Sequence, residues 1–254
     1  MRDPRSILIT GASSGIGAAL ARAYAAPGAT LHLSGRDAAR TAAIAEACRA
    51  LGAYADGRAL DIADRATTAA WVEACDNAAP VDLVIANAGV SSATSGAAEG
   101  EVARRIIATN VDGVLNTVQP LIPRFRERRR GQVAIVSSLA AFRGYRGGAA
   151  YCASKAAVRA WGEGLRGDLA EYGVEVSVIC PGFVTTRMTA GNAHPMPLLM
   201  SAERAACIIK TGLARDKARI AFPLPMYLGA LLGIALPGWI IDHAQRRFPL
   251  KERD

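Results

Sequence analysis

Short apolar runs alternate with helix-forming segments along most of the chain. The apolar runs are rich in valine, isoleucine and leucine and are bounded by glycine, proline or polar residues, which is typical of buried strands. They predict strands at residues 6–10, 30–34, one ending near 60–61, 81–86, 132–137 and 174–180, with a candidate seventh at 219–222. Helices are predicted at 18–26, from beyond 37 to 51, and at 66–78, 98–110, 113–129 and 152–172.

Strands that alternate with helices predict an α/β fold with one parallel sheet of about seven strands and helices on both faces, joined by right-handed crossovers. The 254 residues are enough for one such domain, and no linker divides them. We therefore predict a single domain over residues 1–254, with 51% hydrophobic and 20% charged residues, as in globular proteins.

The five cysteines are scattered and contain no CxxC pair, so the sequence indicates neither a disulfide framework nor a metal site. The polar residues 1–6 lead directly into a strand, without the pattern of a secretory signal. A reducing compartment fits best, and we expect a cytoplasmic location.

The net charge of +8 includes a basic cluster at residues 124–130. This cluster is open to two interpretations, a nucleic-acid patch or the C-terminus of a helix ended by Gly131, where cations complement the helix dipole. We favour the helix terminus and expect no nucleic-acid partner.

The first strand leads into a glycine-rich turn at residues 11–17, with the spacing G-x-x-x-G-x-G. Glycines at such a turn let the backbone approach a pyrophosphate, which the N–H groups at the following helix N-terminus can bind. The position directly after a strand favours a dinucleotide site over an ordinary turn.

If the stretch 151–155 lies on a helix, Tyr151 and Lys155 are i and i+4 neighbours and their side chains share one face. An ammonium near a phenol favours the phenolate and lowers the phenol pKa, which makes the pair a candidate acid–base centre. Spacing alone does not distinguish it from a pair on a solvated helix.

Six motifs occur together in the order and spacing of one family. These are residues 10–17, Asn87-Ala88-Gly89, Asn110, Ser138, Tyr151-x-x-x-Lys155 and Pro181-Gly182. With them, residues 5–190 resemble the standard branch of the short-chain dehydrogenase/reductase family, whereas the last sixty or so residues carry no family signature. The resemblance implies a Rossmann-type, doubly wound fold and an oxidoreductase activity on a carbonyl or secondary alcohol.

The resemblance also implies four catalytic roles. Tyr151 would be the general acid for carbonyl reduction and the base for alcohol oxidation, and Lys155 would lower the pKa of Tyr151 and bind the nicotinamide ribose. Ser138 would hold the substrate carbonyl oxygen, and Asn110 would lie at a helix irregularity and anchor a water that leads to Lys155. Ser137 competes with Ser138, but Ser138 lies 13 residues before Tyr151, the common family spacing, so we choose it and expect Ser137 to be satisfied locally.

The end of the second predicted strand bears on the choice between NADP and NAD. Gly35 takes the place of the acidic residue that selects NAD, and Arg36 follows it, so we expect NADP, with NAD less favoured. The alternative is that Arg36 is a solvated loop residue. Ser13, Ser14 and Ser34 are candidate donors to the 2′-phosphate. The implied cofactor residues are Gly11, Ser13, Ser14, Gly15, Ile16, Gly17, Ser34, Arg36, Asp61, Ile62, Asn87, Ala88, Gly89, Tyr151, Lys155, Pro181, Gly182, Val184 and Thr186.

Three further features stay open at the level of sequence. By resemblance, the substrate lid lies at residues 189–200, where His194 is either a substrate contact or a surface histidine. Arg143 and Arg146 either contact an anionic substrate or are solvated loop residues. The C-terminal region 220–254 begins with an uncharged stretch, 220–241, flanked by basic residues and broken by prolines. It could close over a lipophilic substrate, form a subunit contact or lie in a membrane interface, whereas a spanning helix is disfavoured.

Together these observations predict an NADP(H)-dependent oxidoreductase with a lipophilic substrate, either a 3-oxoacyl-type ketone or a steroid-like or other apolar ketone. Relatives commonly form homodimers or homotetramers, which implies contacts through helices near residues 113–129 and 152–172. The alternative is a non-catalytic dinucleotide-binding or membrane-associated interaction protein on the same fold. All four catalytic positions are retained, which favours the enzyme.

Overall fold

A computed structural model describes residues 1, 3–190 and 195–240 and contains a seven-stranded parallel sheet. The strands lie in the order β3-β2-β1-β4-β5-β6-β7. Their bounds are β1 Ser6–Thr10, β2 Thr30–Gly35, β3 Tyr54–Ala59, β4 Leu83–Ala86, β5 Gly131–Val136, β6 Val174–Pro181 and β7 Arg219–Phe222. The predicted fold class and the candidate seventh strand are confirmed.

The helices of the described residues cover both faces of this sheet. They are α1 Gly15–Tyr24, α2 Ala38–Ala50, α3 Arg65–Ala78, α4 Val102–Ile107, α5 Gly113–Val118, α6 Ile122–Arg128, α7 Ala149–Ala170, α8 Ala202–Ala214 and α9 Leu224–Ala235. No helix of the described chain is both long enough and apolar enough to cross a membrane.

Alternation of side chains along β1 explains the two covered faces. Ile7 and Ile9 pack into a cluster with residues of α1 and α8, whereas Leu8 packs on the opposite face with residues of α3, α6 and α7. All five residues of β1 are buried, as expected for a strand with helices on both sides.

The segment predicted as two helices at 98–110 and 113–129 differs in detail. Helices α4, α5 and α6 follow one another, separated by a π-helical segment at Ala108–Asp112 and a 3₁₀ turn at Gln119–Leu121. The 3₁₀ turn contains Pro120, which cannot donate an α-helical hydrogen bond. The π-helical segment contains Asn110, so this residue does lie at a helix irregularity.

The basic cluster at residues 124–130 is used inside the fold. Arg124 and Arg128 both bind the buried carboxylate of Asp76, with closest N–O distances of 2.9 Å. Helix α6 ends at Arg128, and the left-handed residue that follows it is Arg129. Gly131, which was expected to end the helix, is instead the first residue of β5. These contacts agree with the helix-terminus interpretation.

The neighbours β1 and β4 mark the point where the strand order reverses. In open α/β sheets, ligands bind in the crevice at the carboxyl ends of the strands on either side of such a point. The glycine turn follows β1 and Asn87 follows β4, so the fold brings these two predicted motifs to the same crevice.

Candidate active site

The glycine turn is shaped by close backbone contacts to the end of β4. Gly11 and Gly15 have positive φ angles of 68° and 56°, which favour glycine. A Cβ on Gly17 would overlap the Gly11 carbonyl oxygen and lie 2.5 Å from Asn87 Nδ2. Asn87 Nδ2 in turn donates to the carbonyl oxygens of Thr10 and Gly11 at 2.9 and 3.2 Å, so Asn87 holds the turn in shape.

The N-terminus of α1 is open toward the crevice. Ser14 occupies the N-cap position, but its side chain makes no capping hydrogen bond. The first N–H groups of the helix are therefore not capped by this side chain and can bind an anion. Ile16 packs against the core behind the turn, which leaves the backbone of the turn facing the crevice. These features fit the pyrophosphate of a dinucleotide.

The end of β2 carries the residues predicted to meet the adenosine ribose. Arg36 is exposed, donates one long hydrogen bond of 3.4 Å to the carbonyl oxygen of Thr94, and forms no ion pair within the described chain. A Cβ on Gly35 would lie 2.8 Å from the Cβ of Ser13, so these two residues are in contact. Arg36 and Ser13 thus both lie at the end of β2, beside the glycine turn.

Ser34, predicted as a phosphate donor, is fully buried at the end of β2, and its hydroxyl finds no hydrogen-bond partner among the described residues. Its role toward a 2′-phosphate stays a prediction.

Asp61, predicted to meet the adenine, is paired with a residue that the sequence did not single out. Arg105 Nη2 lies 2.6 Å from Asp61 Oδ2, and the N–H of Ala63 donates to Asp61 Oδ1. Burial opposes ionisation of Asp61, but these hydrogen bonds and the charges of Arg105 and Arg36 outweigh it and lower its pKa. No short-range signal connects Arg105 to Asp61, because 44 residues separate them.

The side chain of Asn110 links two sides of the site. Its amide nitrogen donates to the carbonyl oxygen of Val90 and to Ser154 Oγ, both at 3.0 Å, and its amide oxygen accepts the N–H of Val90 at 2.7 Å. Ser154 Oγ then donates to the carbonyl oxygen of Tyr151. Asn110 therefore ties the loop after β4 to the helix that carries Tyr151 and Lys155.

Lys155 is held at both ends by the end of β5. Its ammonium donates to the carbonyl oxygen of Val136 at 2.9 Å, and its own carbonyl oxygen accepts from Ser137 Oγ at 2.7 Å. Ser137 is thus satisfied locally. A Cβ on Gly89 would lie 3.2 Å from Lys155 Nζ, so the loop after β4 packs directly against this ammonium.

The Ser138 hydroxyl lies near the Tyr151 phenol, whose pKa it lowers. Ser138 Oγ also accepts the N–H of Ala140, which fixes the serine at the start of a short 3₁₀ turn. Lys155 Nζ lies 5.9 Å from the centre of the Tyr151 ring. The structure therefore brings together the serine, tyrosine and lysine that the sequence predicted.

The electrostatics of the pair differ from the expectation that Lys155 lowers the pKa of Tyr151. Burial is the largest influence on both groups: it raises the pKa of Tyr151, against a smaller lowering by the Ser138 hydrogen bond, and lowers the pKa of Lys155 to about 8. The expectation considered only the neighbouring charge, whereas both side chains are enclosed and lose hydration.

The loop after β6 closes the crevice on its other side. A Cβ on Gly15 would lie 2.8 Å from the Cγ2 of Thr186, so Thr186 packs against the glycine turn. Val184 is buried and pairs with Met200 through an isolated bridge, which anchors the far end of the predicted lid. His194 and residues 191–193 lie outside the described residues.

Helix α9 borders the same loop. A Cβ on Gly182 would lie 3.2 Å from the sulfur of Met226, and Arg143 donates to the carbonyl oxygens of Gly233 and Leu236. Arg143 is therefore not a solvated loop residue, because its hydrogen bonds join the segment after Ser138 to the C-terminal end of α9. The sequence left this arrangement open because 90 residues separate Arg143 from Gly233.

Comparisons with known proteins agree with this site. A family model for short chain dehydrogenases matches residues 5–196. An uncharacterized oxidoreductase from Myxococcus xanthus is 39% identical over 245 residues, which cover 96% of this chain and 97% of that protein.

Two solved structures illustrate the similarity in fold. A short-chain dehydrogenase from Sphingobium yanoikuyae in complex with NADPH has a TM-score of 0.79 and 26% identity, over 98% of this chain and 99% of that one. A 3-oxoacyl-(acyl-carrier protein) reductase from Brucella melitensis with bound NAD has a TM-score of 0.73 and 27% identity, over 85% and 89% of the two chains. The two neighbours hold different nicotinamide cofactors, so the choice here has to be argued from this chain's own residues.

Proposed function

The chain belongs to the short chain dehydrogenase family, and from this premise we propose that it is an NADP(H)-dependent oxidoreductase that interconverts a carbonyl group and a secondary alcohol. The observation that carries the proposal is that Ser138, Tyr151 and Lys155 lie together at the sheet edge that also holds the glycine turn. A bound nicotinamide dinucleotide would supply or accept the hydride.

Three residues of the chain have the remaining roles in the reaction: proton transfer, binding of the carbonyl oxygen and positioning. The Tyr151 phenol donates its proton to the carbonyl oxygen during reduction and accepts it during oxidation. The Ser138 hydroxyl donates a hydrogen bond where negative charge develops on that oxygen. Asn110 keeps Tyr151 and the loop after β4 in register through Ser154 and Val90.

Replacement of the phenol tests the catalytic role. We expect Tyr151→Phe to bind NADPH with an affinity close to that of the unmodified protein, measured by titration calorimetry, while turnover falls on the order of 10²-fold or more. Tyr172→Phe, at the end of α7 where the ring packs against Arg126, is the control and should keep turnover. Near-normal turnover of Tyr151→Phe would contradict the role of Tyr151 as general acid and base. If the unmodified protein binds NADPH but turns over no carbonyl compound, the non-catalytic alternative is favoured.

The proposed preference for NADP over NAD is supported by Arg36, which is exposed and has no carboxylate partner among the described residues, and by Gly35 in place of an acidic residue. The Asp61 carboxylate is engaged by Arg105. A charge-assisted hydrogen bond to phosphate contributes about 1.5–3 kcal/mol, and exposure reduces this, so we expect Arg36→Ala to weaken NADPH binding on the order of tenfold and NADH binding little.

Arg40→Ala is the matched control for the cofactor test. It removes the same charge from the first turn of α2, but Arg40 is already paired with Asp37 at 2.5 Å. The dissociation constants of both cofactors should change little in this variant. Equal weakening of NADPH and NADH in Arg36→Ala would overturn the proposed preference.

We also propose a lipophilic ketone as the substrate. Met226 borders Gly182, and Leu198 and Leu199 are exposed on the predicted lid. The Brucella neighbour is a 3-oxoacyl-(acyl-carrier protein) reductase, which supports a 3-oxoacyl-type ketone as one candidate, beside a bulkier steroid-like ketone. A screen that follows NADPH absorbance over ketones of graded chain length should show kcat/KM rising with length; a preference for small polar ketones would contradict this.

A homodimer or homotetramer and a reducing, cytoplasmic environment complete the proposal. The five cysteines are free in the structure, which fits a reducing environment. Sedimentation equilibrium of the purified protein gives the oligomeric state directly, and a purely monomeric protein would contradict this part of the proposal.

A further inference from the structure

Helix α9 has an apolar face that is exposed among the described residues. This α9 patch consists of Leu224, Leu228, Leu231, Leu232, Ile234 and Trp239, with Leu232 62% exposed and Trp239 73% exposed. No charged residue occurs between Ile220 and Ile241. A helix with one face on a protein and the other in water normally carries polar residues on the outer face, so this composition requires another explanation.

The opposite face of α9 is firmly held, so the exposure of the patch is fixed by the fold. Tyr227 packs edge-on against Phe142 with ring centres 5.6 Å apart, and its hydroxyl accepts a hydrogen bond from Arg219 at 2.9 Å. Met226 lies against Gly182, and Arg143 binds two carbonyl oxygens at the helix C-terminus. The patch therefore faces outward as a defined surface beside the catalytic edge of the sheet.

The length of α9 argues against a membrane-spanning segment. A helix of 12 residues is about 18 Å long, too short for the roughly 30 Å hydrocarbon core of a bilayer.

A lipid surface fits the chemistry of the patch better. An aliphatic helix that lies in the interface plane needs no polar partner on its buried face, and a tryptophan at its end suits the boundary between acyl chains and headgroups. The net charge of +8 attracts anionic headgroups.

We propose that the α9 patch rests on the surface of an anionic lipid bilayer, with α9 lying parallel to the membrane. Because Met226 on the inner face borders Gly182, this placement brings the predicted substrate side of the site next to the lipid. Binding to lipid requires no turnover, so this inference does not rest on the proposed function.

Co-sedimentation of the full-length protein with vesicles tests the proposal. The vesicles are pure phosphatidylcholine, or equal parts of phosphatidylcholine and phosphatidylglycerol. We expect the protein to bind the anionic vesicles, more weakly at high salt because surface attraction is screened, and to bind neutral vesicles less. The double variant Leu228→Gln, Leu232→Gln removes two aliphatic side chains without a change of charge and should lower the partition coefficient at least tenfold.

Leu51→Gln is the matched control, since Leu51 is 51% exposed at the end of α2, outside the patch. It should bind vesicles like the unmodified protein, and thermal melts should show that all variants fold. Three results would overturn the proposal: no binding of the unmodified protein to anionic vesicles, equal binding of the double variant, or a double variant that sediments as a smaller oligomer than the unmodified protein. The last result would show that a second copy covers the patch.

Discussion

Asn110→Ala is the change for which the structure gives the sharpest expectation. The Asn110 side chain is fully buried and makes three hydrogen bonds, two to the backbone of Val90 and one to Ser154. Its removal leaves the N–H and C=O of Val90 without these partners in a buried position. Each orphaned group costs about 1–3 kcal/mol, so we expect a loss of about 3–5 kcal/mol in the free energy of unfolding.

Thermal denaturation measures this loss. For a protein of this size, 1 kcal/mol corresponds to about 2–4 °C in Tm, which gives a decrease on the order of 10 °C. Asn116→Ala is the control because Asn116 is also buried, in the adjoining α5, but donates only one hydrogen bond, to the carbonyl oxygen of Ile62. It should lower Tm by only about a third as much.

A second readout separates general destabilisation from an effect on the site. A Cβ on Gly89 would lie 3.2 Å from both Asn110 Oδ1 and Lys155 Nζ, so the loop after β4 is packed between these two side chains. Asn110→Ala should therefore also weaken NADPH binding, measured well below Tm, whereas Asn116→Ala should not. If the two variants melt within about 2 °C of each other and bind NADPH equally, the link that we assign to Asn110 is wrong.

The remaining predictions concern charge, backbone space and a buried ion pair. Lys155 has a pKa of about 8 in the folded protein and about 10.4 in the unfolded chain, so the unfolded state binds more protons between these pH values. The free energy of unfolding of the unmodified protein, relative to that of Lys155→Met, should therefore rise with pH across this window by up to about 3 kcal/mol. Urea unfolding curves at several pH values measure this rise. Gly17→Ala should abolish NADPH binding in calorimetry because no Cβ fits there, while Gly164→Ala, with no atom near its Cβ position, should bind normally. Asp76→Ala should cost about 3–5 kcal/mol in the same unfolding assay, since it leaves two arginines without their buried carboxylate, whereas Arg124→Ala should cost far less because Arg128 still pairs with Asp76.

The sequence predicted the architecture well because the relevant signals are local. Buried parallel strands are short apolar runs, and both faces of β1 are covered, so the pattern and the environment agree. Errors concentrate at element ends: α7 begins at Ala149 and not at Cys152, because small residues before Tyr151 are compatible with either helix or loop. The predicted single domain over residues 1–254 and the lid remain predictions.

The details of the site were less accessible because they depend on long-range contacts and burial. Arg105 meets Asp61 across 44 residues, and nothing in the local sequence marks it. Ser34 lies next to Gly35 in the chain, but neighbouring strand residues face opposite sides of the sheet, and the Ser34 side chain is fully buried. Ser137 and Ser138 could be separated only through family spacing. The structure shows the physical difference: Ser137 donates to the backbone of Lys155, whereas Ser138 lies near the Tyr151 phenol and lowers its pKa.

Burial of the tyrosine and lysine also bears on the direction of the proposed reaction. Because enclosure raises the pKa of Tyr151, its phenol is protonated at neutral pH and can act as a donor, as carbonyl reduction requires. Oxidation would need the phenolate, which the same enclosure disfavours. Lys155, with a pKa of about 8, stays mostly protonated at neutral pH and remains an exchangeable acid near the phenol. We therefore expect kcat for alcohol oxidation to rise with pH above neutral; a kcat for oxidation that does not change as the pH is raised would contradict the role of Tyr151 as the base.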